Sequence, residues 1–170
     1  MSEAAPTVLA MNSASNARTA AWNDQEDRRV AELIRRYGCF IQAVAGGHGH
    51  PPFAYTVGLF GLGHPELIIF GLDHESAGHC LNWFFDRIRS GADLTPGEIV
   101  EPAGAGTRFL VEEFPDPGAA LYAANRHYQR PREASVPAYQ LTWDVRGAFP
   151  WEPGYPYSAG LQPRRGEYRE

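Results

Sequence analysis

FAYTVGLFGLGHPELIIFGL, residues 53 to 72, decides how this chain folds. Phe53 to Leu59 is short and carries aromatic and β-branched residues, so it reads as a strand. Glu66 to Leu72 is a continuous apolar run short enough for a buried strand. Between them Phe60-Gly61-Leu62-Gly63-His64-Pro65 turns the chain. Pro65 fixes its own φ and pushes His64 out of the helical region, so His64 sits in a defined extended turn.

Working upstream, Cys39 to Ala45 is a further strand that ends in the Gly-Pro loop from Gly46 to Pro52. Before it, Asn23 with Glu26 resembles a capping box. Val30, Leu33, Ile34 and Tyr37 follow at one-face helical spacing, and Gly38 closes the helix. Residues 1 to 21 are small, polar and without period, and read as a disordered lead-in. Residues 22 to 170 read as a single domain.

Downstream, Asp73 caps a helix whose apolar face is Ala77, Cys80, Leu81, Phe84 and Ile88, and Gly91 stops it. Glu98 to Glu101 and Thr107 to Phe114 flank Gly104-Ala105-Gly106 as a hairpin. Asp116-Pro117 starts a helix running to about Gln129, ahead of Pro131. Ala138 to Trp143 is the last strand, turning at Asp144 to Gly147. The tail from Pro150 reads as ordered loop over the surface. Helices and strands do not alternate regularly, so a doubly wound parallel sheet is not indicated. The expected fold is α+β, a mostly antiparallel sheet of about six short strands with about three helices, with a small split β-barrel as the alternative.

Composition narrows the chemistry. The chain has 170 residues, 44% hydrophobic and 21% charged, which suits one globular core. Its formal net charge is -5, which argues against a nucleic-acid backbone and against an anionic membrane surface. All 15 basic residues are Arg. Without a Lys amine, Schiff-base chemistry, covalent pyridoxal phosphate attachment and the P-loop lysine are excluded. A GC-rich genome accounts for the Arg bias. Two cysteines, Cys39 and Cys80, make neither a disulfide framework nor a thiolate zinc site and suit a reducing compartment. No basic start with an apolar run opens the chain, and no stretch approaches a membrane span, so a cytoplasmic protein is expected.

Several segments together resemble a bacterial family catalogued as domain of unknown function 4262. They are Gly38, Pro51 to Leu59, Gly63 to Leu72, Leu81-Asn82, Gly97, Gln140, Trp143 and Gly147 to Trp151. The resemblance covers about residues 30 to 162 and implies no activity. The family pattern expects His where Tyr37 and Phe40 stand, and Trp-Pro-Asp where Trp143-Asp144 stands. Any chemistry resting on those histidines is absent from this chain.

The sharpest candidate for chemistry is His64-Pro65-Glu66 beside Tyr55-Thr56. A His near neutrality with a carboxylate two residues on is acid–base equipment, and Tyr55 offers a phenolic donor. The plainer reading is that His64 bonds its own turn and Glu66 pairs with an Arg. His79, Asn82 and Asp86 form a polar stripe on the middle helix bordered by Trp83, a binding wall or a solvated face. His48 and His50 have a spacing metal sites use, but lie in a loop outside the shared segments. Trp143, Phe149, Trp151, Tyr155 and Tyr157 line a pocket or plug the core. No Gly-x-Ser-x-Gly elbow and no dinucleotide fingerprint is present, and nothing in the sequence activates Cys39.

The expectation is a cofactor-independent, metal-free enzyme doing acid–base chemistry on a small organic metabolite. His64 would be the acid or base, Glu66 its carboxylate and Tyr55 a donor, with Thr56, Asn82, Gln140, Trp143 and Trp151 contacting the ligand. The alternative is a non-catalytic module that binds a small organic molecule or a protein partner. The sequence leaves the oligomeric state open.

Overall fold

The computed structural model describes residues 8–164, 167 and 168, with side chains from residue 15 onward. Helix α1 (Val8–Tyr37) leads into β1 (Phe40–Val44) and β2 (Phe53–Val57). β3 (Glu66–Phe70) precedes α2 (His74–Arg89). β4 (Ile99–Val100), β5 (Phe109–Glu113), α3 (Tyr122–His127) and β6 (Ala138–Trp143) follow. The strands form one open sheet in the order β1-β2-β3-β6-β5-β4. Every neighbouring pair is antiparallel except β3–β6. The α+β reading is therefore correct, and the split-barrel alternative is not: β1 and β4 are edges and the sheet does not close.

Both faces of the sheet are covered, which is why β2 and β3 are buried along their whole length. Alternate residues serve opposite faces. Ala54, Leu67 and Ile69 pack with Leu81, Phe84 and Ile88 of α2. Phe53, Tyr55, Ile68 and Phe70 pack on the other side with Val30 of α1 and Ala123 and Ala124 of α3. Asp73 caps α2 as expected, its carboxylate accepting from the Ser76 N–H at 2.9 Å and the Ser76 hydroxyl at 2.7 Å. β4 and β5 form the expected hairpin. After β6 the chain reverses through Arg146 (φ 52°) and Gly147 (φ 83°), both left-handed, with Val145 bridging Ala148. That is the two-residue turn that matches strand twist.

Three expectations are corrected. Where a lead-in to residue 21 is expected, α1 is already helical from Val8, and only residues 1–7 of that lead-in lie outside the described residues. The segment holds five Ala between residues 10 and 21, and Val8–Tyr37 contains no Gly or Pro, so nothing stops helix propagation. Asn23 consequently lies inside the helix rather than at its cap, and Glu26 pairs with Arg29 at 3.3 Å. The helix expected from Pro117 to Gln129 is broken into a 3-10 turn, Pro117–Ala119, and the short α3. Gly118, Ala119, Ala120 and Leu121 are all buried, and four consecutive buried residues cannot share one helical face. The tail from 150 to 164 is an ordered loop, anchored by the buried Gln162 and Pro163.

The junction between β2 and β3 is held by one side chain. Glu66 is 0% exposed. Its Oε1 accepts from the Gly58 N–H at 2.9 Å and the Phe60 N–H at 3.1 Å. Its Oε2 accepts from the Thr56 hydroxyl at 2.6 Å and the Leu59 N–H at 3.2 Å. Three successive backbone amides make an anion-binding concavity, and the chain's own carboxylate fills it. Thr56 Oγ1 also accepts from the Leu67 N–H at 2.9 Å, extending the β2–β3 ladder by a side chain. Gly58 makes the bend feasible. Its φ is +140°, and a Cβ there would lie 2.7 Å from the Gly38 carbonyl oxygen, so β2 exits in close backbone contact with the α1–β1 turn.

Burial pushes the Glu66 carboxyl up from its usual range, against the four donors that pull it down. Glu66→Gln puts an NH2 group against amide donors, leaving buried N–H groups unsatisfied. Urea unfolding at pH 7 should lose about 1–3 kcal/mol. A carboxyl raised in the folded state gives stability present below its unfolded pKa and lost as pH rises through the folded value. The Gln variant lacks that titration, so the gap between wild type and variant should widen as pH falls through the folded pKa. A gap below about 0.5 kcal/mol at pH 7 would mean that the cradle is not structural.

Candidate functional site

The residues expected to do acid–base chemistry have their reactive atoms engaged by the fold. Both oxygens of Glu66 face the amide cradle. His64 is buried; its Nδ1–H donates to the Pro65 carbonyl at 2.7 Å, and Nε2 accepts from the Leu94 N–H at 3.3 Å, which defines one tautomer. Pro65 positions this ring by keeping His64 extended, and Tyr139 packs edge-on against it. The Tyr55 hydroxyl accepts from the Ala123 N–H at 3.0 Å under α3, and burial lifts its pKa to about 12. Thr56 meets Glu66, but Tyr55 projects to the opposite face of β2. Cys39 is no activated nucleophile, since burial, aided by the Glu66 charge, lifts its thiol to about 12.

The other candidates are scattered. Asn82 is exposed on α2. Gln140 is buried, and its Nε2 donates to the Pro163 carbonyl at 2.7 Å, tying down the tail. Trp151 stacks on Phe149 with an interplanar angle of 2° and carries Arg164 over its ring at 4.3 Å. His48 and His50 are exposed in a turn closed by the Gly47–His50 bridge. Among the described residues, no three His, Cys, Asp or Glu side chains are placed to hold one metal ion.

Trp143 alone of that set borders a large concavity. A groove of about 550 Å³ runs between the outer side of α2 and the chain that follows β4 and β6. Leu72, Glu75, His79 and Cys80 form one wall, Thr107 and Phe109 the other, and Trp143 with the 144–146 turn closes the end. A second lobe of about 310 Å³ shares His79, Cys80, Ala105 and Phe109 and adds Trp83 and Pro102. The apolar walls follow from sheet and helix periodicity: Phe109 starts β5, and Leu72 ends the β3 run just before the Asp73 cap.

The groove's framework is braced. Asp144 is buried and accepts from the Arg108 N–H at 2.7 Å and Arg108 Nε at 2.8 Å. Arg108 Nη2 also donates to the Gly147 carbonyl at 2.8 Å, which fixes the turn that carries Arg146. Trp143 is held from three sides: Nε1 donates to the Phe70 carbonyl at 2.8 Å, and its backbone exchanges two hydrogen bonds with the Gln162 amide at 2.9 and 2.8 Å. By contrast, the side chains of Glu75, His79, Thr107 and Arg146 make no hydrogen bond or ion pair among the described residues. Burial and the Asp73 charge push the Cys80 thiol up, so the groove offers no thiolate.

Sequence reading found His79, Trp83 and Trp143 but assigned His79 to a stripe with Asn82 and Asp86, which do not line the groove. It missed Leu72, Thr107, Phe109 and Arg146. They come from separate segments, and no local spacing connects them. The one available signal was the Asp144–Gly147 turn, whose left-handed residues present Arg146.

No helix of the described residues is long and apolar enough to cross a membrane. No curated protein and no solved structure matches the chain. The model of one family, described as Domain of unknown function (DUF4262), matches residues 33–156 and so spans the sheet, α2, the hairpin and the 144–147 turn. By that match the chain belongs to the DUF4262 family.

Proposed function

We propose that this protein is a non-catalytic binding module for a small organic molecule with a flat apolar body and an anionic group, taken up in the groove beside α2. The observation that carries this reading is the groove's make-up: Trp143, Phe109 and Leu72 walls with a few unpartnered polar side chains, the usual composition of a ligand site. Arg146 supplies the only guanidinium on the lining, and its planar fork matches a carboxylate. Trp143 and Phe109 offer ring faces and edges for a planar body.

The acid–base reading is the weaker of the two. A general base must reach the proton it abstracts, and His64, Glu66 and Tyr55 each point their polar atoms at backbone groups. His79 faces the groove, but no carboxylate is bonded to it to set its tautomer or basicity. The free cysteines, Cys39 and Cys80, suit a reducing cytoplasm, the compartment we assign to it. A net charge of -5 keeps nucleic acid and anionic lipid outside the reading.

Titration with indole-3-acetate tests this reading by amide chemical shifts. Resonances of His79, Ala105 and Arg146 should move together and saturate, whereas acetate alone should leave them in place. Arg146→Gln should weaken binding about tenfold without changing the unfolding midpoint, since the residue is exposed and makes no bond in the fold. Shifts confined to other parts of the chain, or an unchanged affinity in the variant, would refute the assignment.

A further inference from the structure

The opposite face of the sheet holds a second cavity with a different chemistry. It lies where α3 ends and the chain returns through Gln129 to Arg132, and its volume is about 510 Å³. Three arginines line it: Arg126, Arg130 and Arg132. In a chain of net charge -5, three guanidinium groups on one cavity are a local reversal of sign. Gln129 adopts φ 53°, a left-handed bend that turns the chain from α3 into the segment carrying Arg130 and Arg132.

Each of the three arginines has a partner in the fold, an exposed carboxylate for two of them. Arg126 Nε donates to Asp27 of α1 at 2.9 Å, and Arg132 lies 3.8 Å from Asp116. Both pairs are exposed, so neither neutralises its arginine strongly. Arg130 Nε donates to the Ala134 carbonyl at 2.6 Å, and its guanidinium lies over Phe60 at 5.8 Å. It pairs with no carboxylate among the described residues.

Asn125 lines the cavity and is 7% exposed. Its Oδ1 accepts from the Val136 N–H at 2.9 Å and the Ser135 hydroxyl at 3.0 Å, which settles which end of the amide faces that segment. The Nδ2 group, at the other end, is buried with no acceptor. That atom is closed off from the cavity, so recognition there falls to the three guanidinium groups, whose charge specifies an anionic ligand.

We propose that this cavity is an oxyanion site for the phosphoryl group of a small phosphorylated molecule. Arg126, Arg130 and Arg132 supply charge and forked donors. A phosphate ester fits better than a carboxylate because it carries close to two charges and three acceptor oxygens, against one charge and two oxygens. The site is separate from the groove beside α2, which lies across the sheet, and does not depend on what that groove binds.

The experiment is isothermal titration of the full chain with inorganic phosphate at pH 7, against sodium chloride and sodium acetate at matched ionic strength. The expected result is saturable 1:1 phosphate binding that is at least about tenfold weaker in Arg130→Gln. Asn125→Asp keeps the acceptor for Val136 and Ser135 but adds a negative charge beside the three arginines, and should weaken binding. Arg130→Gln, an exposed position, carries the test if the Asp variant fails to fold. Arg146→Gln, in the groove across the sheet, should bind phosphate as wild type does. No heat beyond chloride, acetate binding as tight as phosphate, or wild-type affinity in Arg130→Gln would overturn the proposal.

Discussion

The buried Glu66 carboxylate is the constraint on which the sheet depends. β2 and β3 must reverse direction within eight residues, and the reversal leaves the amides of Gly58, Leu59 and Phe60 without strand partners. Buried N–H groups need acceptors, and a carboxylate that accepts four bonds supplies them from the first residue of the next strand. The same contact sets Thr56, which passes the ladder on to Leu67. It also draws Gly58 against Gly38, so the end of α1 and the β2 exit are fixed by one arrangement. A carboxylate so placed is withdrawn from solvent chemistry, and His64 beside it is likewise committed to Pro65 and Leu94.

That arrangement explains why the most local reading was the most successful and the most misleading. The two strands around the 60–65 turn were legible because apolar runs of strand length are bounded by glycine and proline. The Asp73 cap and the 104–106 hairpin were legible for the same reason: each is written in a few consecutive residues. The role of Glu66 was not, because a carboxylate near a His carries the same letters whether it faces a substrate or three amides. The start of α1 was missed because composition suggested disorder where an uninterrupted Ala-containing segment continues a helix. The break before α3 was missed because it follows from burying Gly118 to Leu121 together, a tertiary demand.

The groove and the arginine cavity share a logic. Each lies outside a covered face of the sheet, walled by a helix on one side and by returning loops on the other. In the groove the side chains of Arg146, His79 and Glu75 make no bond among the described residues, and in the cavity three arginines gather on one lining. Their elements are distant in sequence, so only the folded sheet brings them together. Both proposals give the arginine-only basic set a use, since a planar guanidinium suits flat or tetrahedral anions.

Hydrogen exchange of the Gly58, Leu59 and Phe60 amides, read residue by residue by NMR, tests the structural role of Glu66 most directly. If the carboxylate holds the β2–β3 junction, these three amides exchange only through global unfolding, as slowly as the central residues of β3. Exchange of all three by local opening, orders of magnitude faster than β3, would contradict it and return Glu66 to the pool of groups available for chemistry.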